Sequence, residues 1–358
     1  MDLYGLRSSV VIPAYKPSHE IINYVKELCV AGFWVVVIDD GSGAEFSSVF
    51  AALASVECCI VLHHPYNMGK GCALKTGFHH LSETKKDIKY IITADADGQH
   101  VLSDVKKVLE AVIDHSADVY LGTRDFSLSH VPSKSRMGNR ITSAVFLALY
   151  GVKCPDTQTG LRAFSVKYLP LMEKVKGERY EYEMNMLIAL ARADIDISFV
   201  PIETVYNNNN EGSHFHVVRD SFRIYKVILG QFLFFLSSSI TAAGIDMIIY
   251  SVLFDVFENA GWDDAARIAS AKVIARIISA AVNFLINRNA VFKHKSSRSR
   301  SLLRYAMVCV LILAASVGMV TLLKSVTGIN ERILSPIVDV FLFFLSYRIQ
   351  SGWVFVED

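Results

Sequence analysis

Up to about Asp125 the chain alternates short apolar runs with amphipathic stretches. The runs Ser9–Ala14, Trp34–Asp39, Cys58–His63, Tyr90–Ala94 and Asp118–Gly122 read as buried strands, and helical spacing of apolar positions covers 18–31, 44–54, 70–82 and 101–115. Such alternation predicts an α/β domain, an open and mostly parallel sheet covered by helices. In sheets of that kind the ligand sits beyond the carboxyl ends of the strands. The polar residues fall there: Tyr15 after the first run, Asp39 and Asp40 after the second, His63 and His64 after the third, Asp95 and Asp97 after the fourth, Arg124 after the fifth.

Beyond Asp125 the pattern changes twice. Residues 125–139 are polar and partly basic, with Lys134, Arg136 and, just past them, Arg140. They read as a loop that closes over substrate, touches anionic headgroups or simply lies on the surface. Ile141–Tyr150 is apolar with small residues, an interfacial helix or a core one. Asp156 follows Pro155 in a turn-rich stretch, a candidate for orienting an acceptor; Glu181 and Glu183 open an apolar helix, where the macrodipole alone favours carboxylates.

After Val227 long uncharged runs take over. Val227–Ile245 and Tyr305–Leu323 each approach the roughly 20 apolar residues that a bilayer core requires. With two weaker stretches they make four spans, at about 227–254, 267–287, 303–323 and 333–350. The chain therefore divides into an α/β domain over 1–225 and an all-α transmembrane domain over 226–358. Phe284-Leu285-Ile286-Asn287-Arg288 through Val291-Phe292 is echoed by Phe344-Leu345-Ser346-Tyr347-Arg348 through Val354-Phe355, so the two helix pairs look like a duplication. The connection after the second span carries Arg288, Lys293, Lys295, Arg298, Arg300 and Arg304, and the one after the first carries Asp255, Glu258, Asp263 and Asp264. The basic side belongs in the cytoplasm, and with four spans both termini and the α/β domain go with it. Asp246, Lys272, Arg276 and Asp339 lie in or near the spans, where ionisable groups pair with one another or meet a phosphate headgroup.

Composition agrees with a divided chain. Its 358 residues are 52% hydrophobic and 20% charged, with mean hydropathy +0.34, too apolar for an ordinary soluble enzyme and not apolar enough for a pure membrane protein. A net charge of +1 gives no electrostatic case for nucleic acid. The six cysteines have no CxxC spacing and read as buried thiols of a reducing compartment. Met1–Ser9 lack a signal-peptide pattern, so the chain is expected to begin in the cytosol.

The sharpest chemistry follows the fourth run, where Ile91-Ile92-Thr93-Ala94 ends in Asp95-Ala96-Asp97-Gly98-Gln99-His100. Carboxylates at i and i+2 of an extended segment point the same way. A hard cation such as Mg²⁺ or Mn²⁺ takes one or two protein carboxylates together with substrate phosphate oxygens. Asp95, Asp97 and the amide oxygen of Gln99 are candidate ligands; a strand running into an Asp-Gly turn is the plain alternative. Asp39-Asp40-Gly41-Ser42 offers a carboxylate to a base or ribose, or is a helix-capping turn. Asn67-Met68-Gly69-Lys70-Gly71 could present backbone N–H groups or Lys70 to phosphate. It is not a P-loop, because position 64 is His and Lys70 is followed by Gly71, which argues against ATP hydrolysis. Arg124 could grip a diphosphate or be a solvated charge.

In order along the chain, Ile12-Pro13-Ala14-Tyr15, Asp39-Asp40-Gly41-Ser42, Asn67-Met68-Gly69-Lys70-Gly71, Asp95-Ala96-Asp97-Gly98-Gln99 and Gly122-Thr123-Arg124 resemble the family 2 glycosyltransferases with a GT-A fold. Within them the resemblance is to the polyprenyl-phosphate group that contains dolichol-phosphate mannosyltransferase. It continues through Asp156-Thr157-Gln158-Thr159-Gly160-Leu161-Arg162, Glu181-Tyr182-Glu183-Met184 and Ser213-His214-Phe215, covering roughly residues 8–225. The membrane half resembles the GtrA-like family, linked to lipid-linked sugar traffic. The resemblance implies that Pro13, Tyr15, Asp39, Asp40, Lys70, Asp95 and Ala96 hold a nucleotide-sugar and that Asp95, Asp97 and Gln99 hold Mg²⁺ or Mn²⁺. It implies further that Asp97, Arg124, Asp156, Glu183 and His214 form the catalytic region, and that Arg124, Arg136, Arg140 and His214 receive the acceptor phosphate. Two departures stand out. Lys16-Pro17 follows the Pro-x-Tyr turn where the family often has an acidic residue, and Thr204 precedes Val205-Tyr206 where mannosyl-transferring relatives tend to carry arginine. The first departs from the nucleotide contacts the resemblance implies at that turn, and the second favours a UDP-sugar over GDP-mannose.

The implied reaction is metal-dependent, inverting transfer of a sugar from a nucleotide-sugar to a polyprenyl phosphate on the cytoplasmic leaflet. The implied setting is a bacterial inner membrane, with the bilayer as partner, no nucleic acid, and a homo-oligomer left open. A phosphate with a second pKa of about 6 is already anionic near neutrality and needs no strong base. A processive polysaccharide synthase is disfavoured because its Gln-x-x-Arg-Trp signature is lacking, Gln158 being followed by Arg162-Ala163. A non-catalytic transporter or scaffold is disfavoured by the intact Asp95 and Asp97.

Overall fold

The computed structural model describes residues 7–84, 87–114, 117–129, 131–203, 217–292 and 297–355. The chain forms two compact units, Met1–Ile228 and Leu229–Asp358. In the first, seven strands form one sheet: β1 (Ser8–Ala14), β2 (Trp34–Asp39), β3 (Cys59–His63), β4 (Tyr90–Thr93), β5 (Val119–Thr123), β6 (Arg162–Ser165) and β7 (Ile197–Pro201), in the order β3-β2-β1-β4-β6-β5-β7. Only β6 runs against the others, inserted between β4 and β5. The carboxyl ends of β1 to β5 therefore share one side of the sheet.

The apolar runs are unbroken because both faces are covered. Val10, Ile12, Val35 and Val37 pack with Ile21, Val25 and Leu28 of α1 (Glu20–Val30), Val49 and Phe50 of α2 (Ser47–Ala54), and Val105 and Val108 of α4 (Leu102–Ile113). Val11 and Ile38, pointing the other way, meet α3 (Lys70–Thr84) so closely that a Cβ on Gly77 would lie 2.6 Å from Val11 Cγ1.

The five strands read from the pattern have the expected ends to within a residue. β6 and β7 carry no comparable signal. β6 is four residues with a charged Arg162 at its head, and β7 is a half-buried edge strand that ends in Pro201. The segment read as an irregular loop over 125–139 is also different: α5 runs over Ser133–Tyr150 and holds Lys134, Arg136 and Arg140 on regular helix. Its buried positions begin with Asn139 and Thr142, which are polar, so the period of the apolar face is hidden in its first half. Asn139 turns inward to donate to Pro155 O at 2.6 Å and to accept from Thr157 N at 3.4 Å. α6 (Leu169–Lys174) and α7 (Glu181–Arg192) complete this unit.

α8 (Val217–Asn259) carries the chain into the second unit, followed by α9 (Asp264–Ile286), α10 (Arg298–Thr327) and α11 (Glu331–Ile349). All four are long and apolar enough to cross a membrane. Their apolar windows are largely uncovered, 6% of that in α10 being buried, as expected of helices solvated by lipid. The two pairs end alike, each second helix closing in a π-turn, Asn287–Val291 and Gln350–Val354. Asn287 Nδ2 donates to Gln350 Oε1 at 3.1 Å, 63 positions away, and Phe292 stacks on Phe355 at 4.9 Å. The duplication thus runs in a register that pairs Asn287 with Gln350; the sequence echo, which set Asn287 opposite Tyr347, is three residues out of step there.

Candidate active site

The first layer of the site is a set of turns pinned by buried carboxylates. Asp39, at the end of β2, accepts from Ser42 N at 2.8 Å and lies 3.0 Å from His63 Nδ1 at the end of β3. Asp40 accepts from Met68 N and Gly69 N, each at 2.8 Å, and lies 2.8 Å from His64 Nδ1. Both are buried. Gly41 has φ +69°, and a Cβ there would meet Tyr66 C at 2.2 Å. Ser42 Oγ accepts from Lys16 N at 2.8 Å, fixing the turn after β1. Pro13 lies on β1 and Tyr15 just past it, both half-buried, with Lys16 Nζ 5.6 Å from the Tyr15 ring.

In the Asn67–Gly71 motif the N–H groups of Met68 and Gly69 are spent on Asp40 and are not available to a phosphate. The motif's glycines serve close packing against the start of α7. A Cβ on Gly69 would lie 2.4 Å from Glu178 O, and one on Gly71 would lie 2.5 Å from Tyr182 Cβ. That joint brings Lys70, the first residue of α3, between two acids: its Nζ is 2.6 Å from Asp95 Oδ1 and 3.0 Å from Glu183 Oε2. The Lys70 side chain is largely buried and that of Glu183 nearly fully so. The second oxygen of Glu183 has no hydrogen-bond partner among the described residues.

Asp95 and Asp97 are in different electrostatic states. Burial works against charge on Asp95, but the Lys70 ammonium and the His100 imidazole outweigh it and hold the carboxyl far below the usual range. His100 Nε2 is 3.4 Å from Asp95 Oδ2. Room for that oxygen exists only because position 160 is glycine, where a Cβ would come within 2.3 Å of it. Lys70 is driven above its ordinary value, Asp95 and Glu183 overcoming the cost of burial. Asp97 shifts upward, first from burial and then from the Asp95 charge. Its Oδ1 accepts from Gln99 N at 3.1 Å, and no ion pair engages it among the described residues. Ala96 lies between the two acids, half-buried.

Arg124, just past β5, forks onto Asp156, with Nε to Oδ2 at 2.7 Å and Nη2 to Oδ1 at 3.1 Å. Asp156 is fully buried and also accepts from Gln158 N at 3.1 Å. It anchors Arg124. Arg136 donates to Leu128 O at 2.9 Å, and Arg140 is exposed farther along α5. Thr204 and Ser213-His214-Phe215 lie outside the described residues.

Four residues to which the sequence reading assigned no role belong to this region. His100 and Gly160 set the position of Asp95. Arg162, 1% exposed, donates to Thr159 O at 3.1 Å and Glu183 O at 2.8 Å, tying the 156–162 turn to α7. Tyr24 of α1 has a buried hydroxyl with no partner among the described residues, and its phenol is pushed upward by burial and by the Asp95 and Asp97 charges. His100 follows the Asp-Ala-Asp-Gly-Gln run directly, and Gly160 and Arg162 lie in the Asp156–Arg162 motif, but what each of them does emerges only in three dimensions, as does the place of Tyr24.

Among the described residues no group of three or more His, Cys, Asp or Glu could hold a metal by itself. Asp97, an acid kept from easy ionisation by burial and a like charge, is relieved by a cation, and Gln99 is its neighbour in the same turn. The donor set fits a hard cation that takes one or two protein oxygens and fills its shell from a diphosphate; it does not fit a closed protein cage.

A mostly parallel sheet with paired carboxylates beyond its fourth strand defines a GT-A type of domain. Residues 9–170 match Glycosyl transferase family 2, and residues 234–355 match the GtrA/DPMS transmembrane domain. The chain is 32% identical over 225 residues to an uncharacterized protein of Methanocaldococcus jannaschii, covering 62% of this chain and 90% of that one. It is 30% identical over 215 residues to UDP-N-acetylglucosamine--dolichyl-phosphate N-acetylglucosaminyltransferase of Methanococcus voltae, covering 55% and 85%. It is 26% identical over 247 residues to dolichyl-phosphate beta-glucosyltransferase of Saccharomyces cerevisiae, covering 61% and 72%. The chain belongs to glycosyl transferase family 2, as a glycosyltransferase with a GtrA-like membrane domain.

Proposed function

We propose that this enzyme transfers a sugar from a nucleotide-sugar, a UDP-sugar in preference to GDP-mannose, to a membrane polyprenyl phosphate, with inversion at the anomeric carbon. The observation that carries this reading is the acid pair Asp95 and Asp97 at the carboxyl end of β4, in a chain that also has four membrane-length helices. The two named relatives lend support, since both names specify dolichyl phosphate and one specifies UDP-N-acetylglucosamine.

In this reading Pro13, Tyr15 and Asp39 line the nucleoside side of the site. Asp40 shapes it from below by holding the 67–69 turn. Asp97 and Gln99 would hold Mg²⁺ or Mn²⁺, which when bound offsets the charge of the donor diphosphate. Arg124, locked by Asp156, supplies a fixed guanidinium to a phosphate, with Arg136, Arg140 and His214 as further acceptor-phosphate candidates. Asp156 and Glu183 then act as positioning residues. An acceptor phosphate oxygen forms the new bond to the sugar carbon as the bond to the diphosphate oxygen breaks, and the nucleoside diphosphate leaves with the electron pair. No proton has to be removed from the acceptor phosphate, so the residues act mainly by binding and by charge. In this reading the chemistry lies on the cytoplasmic leaflet of a bacterial plasma membrane; the basic Arg288, Arg298, Arg300 and Arg304 after the second span support the cytoplasmic side.

The test is a panel of labelled UDP- and GDP-sugars given to the full chain with a short polyprenyl phosphate. The expected product is a glycolipid from a UDP-sugar with inverted anomeric configuration. A glycolipid from GDP-mannose alone overturns the donor, and retained configuration overturns the single displacement.

A further inference from the structure

The ion cluster of Lys70 has a consequence for how a metal enters. We propose that Lys70 is a built-in counter-ion that withholds Asp95 from the metal, leaving Asp97 as the one carboxylate ligand in the free enzyme. Divalent metal and nucleotide diphosphate would therefore bind cooperatively, each weakly without the other. This rests on the nucleotide-sugar reading above and concerns the same site.

Both oxygens of Asp95 are already faced. Oδ1 has the Lys70 ammonium at 2.6 Å, and Oδ2 has the His100 imidazole at 3.4 Å and the backbone of Gly160 where a Cβ would intrude. A cation on Asp95 would sit beside an ammonium in a half-buried place, where like charges repel strongly. Lys70 cannot easily withdraw. Its side chain is only 16% exposed, its second anion Glu183 is 3.0 Å away, and its backbone starts a helix wedged against Glu178 and Tyr182. Asp97 remains, and one carboxylate with Gln99 is a poor site for a hard divalent ion. A diphosphate brings the missing oxygens and negative charge. By linkage, the factor by which nucleotide tightens metal must equal the factor by which metal tightens nucleotide.

Mn²⁺ binding to the full-length enzyme, followed by calorimetry or by loss of the free-ion paramagnetic signal, tests this without turnover. In wild type, saturating UDP should tighten Mn²⁺ by about tenfold or more, with the reciprocal gain for UDP, after allowance for the complex the two form in solution. Lys70→Met frees Asp95 while keeping the packing of the stem; Mn²⁺ alone should then bind about tenfold tighter and the gain from UDP should shrink. Asp95→Asn should leave the affinity for Mn²⁺ alone within about twofold, whereas Asp97→Asn should abolish it. The idea is overturned if wild type binds Mn²⁺ as tightly without nucleotide as with it, or if folded Lys70→Met gains nothing. Should Lys70→Met fail to fold, Asp95→Asn still decides, since loss of Mn²⁺ binding as complete as in Asp97→Asn makes Asp95 a ligand. GDP is run in parallel. If neither nucleotide binds, the nucleotide-sugar reading fails, and the behaviour of Lys70→Met and Asp95→Asn towards Mn²⁺ alone still judges the counter-ion. If coupling is found but no glycolipid forms in the transfer assay, only the acceptor is wrong.

Discussion

Asp95 and Asp97 are the same residue type two positions apart, yet the fold gives them opposite characters. Their spacing was legible in the sequence, and so was their place at a strand end. Their division of labour was not, because it depends on Lys70 from another helix, on His100 behind the turn and on the missing Cβ of Gly160. Two expectations follow at this scale. The upward shift of Asp97, caused by burial and by the Asp95 charge, means that protons compete with a cation for this carboxylate more than for an ordinary one. Mn²⁺ affinity measured without nucleotide should therefore fall as the pH is lowered, while Asp95, held ionised by Lys70 and His100, adds nothing to that loss. Gly160→Ala would drive a methyl to 2.3 Å from Asp95 Oδ2 and 2.6 Å from its Cγ. Overpacking of this kind costs about 1–3 kcal/mol, and the displaced acid should lower transfer by about a hundredfold. Thermal melting and single-turnover transfer would show both.

Among the elements, those that bury an unbroken apolar run could be read directly, as β1 to β5 were. Those that bury polar groups could not. α5 hides Asn139 and Thr142 inside, and β6 carries the buried Arg162, so neither displays a clean period. The turn between them, 154–160, is where this matters for function, since Asn139 holds it from one side and Asp156 uses it to lock Arg124. Asp156→Asn leaves Arg124 without its fork and should cost about 3 kcal/mol or more in stability, the scale for breaking a buried pair. Chemical denaturation of the variant beside Arg124→Gln would check it, and the double variant should recover part of the loss. In the membrane unit the duplication was visible as a motif, but its register emerges only where Asn287 meets Gln350 and both π-turns begin.

At the scale of the whole molecule, the chain passes from its first compact unit to its second after Ile228. The apolar windows of the four long helices are mostly bare of protein contacts, which suits a bilayer and not water. A family 2 catalytic unit joined to such helices is suited to an acceptor that is itself a lipid. The most direct measurement is formation of lipid-linked sugar from a labelled UDP-sugar and polyprenyl phosphate by the full chain, with Mg²⁺ or Mn²⁺, beside EDTA and Asp97→Ala. The expected result is metal-dependent glycolipid, absent with EDTA and reduced by about a hundredfold or more in Asp97→Ala. Undiminished product from Asp97→Ala, or nucleotide that binds with metal while no donor yields a glycolipid, would contradict it.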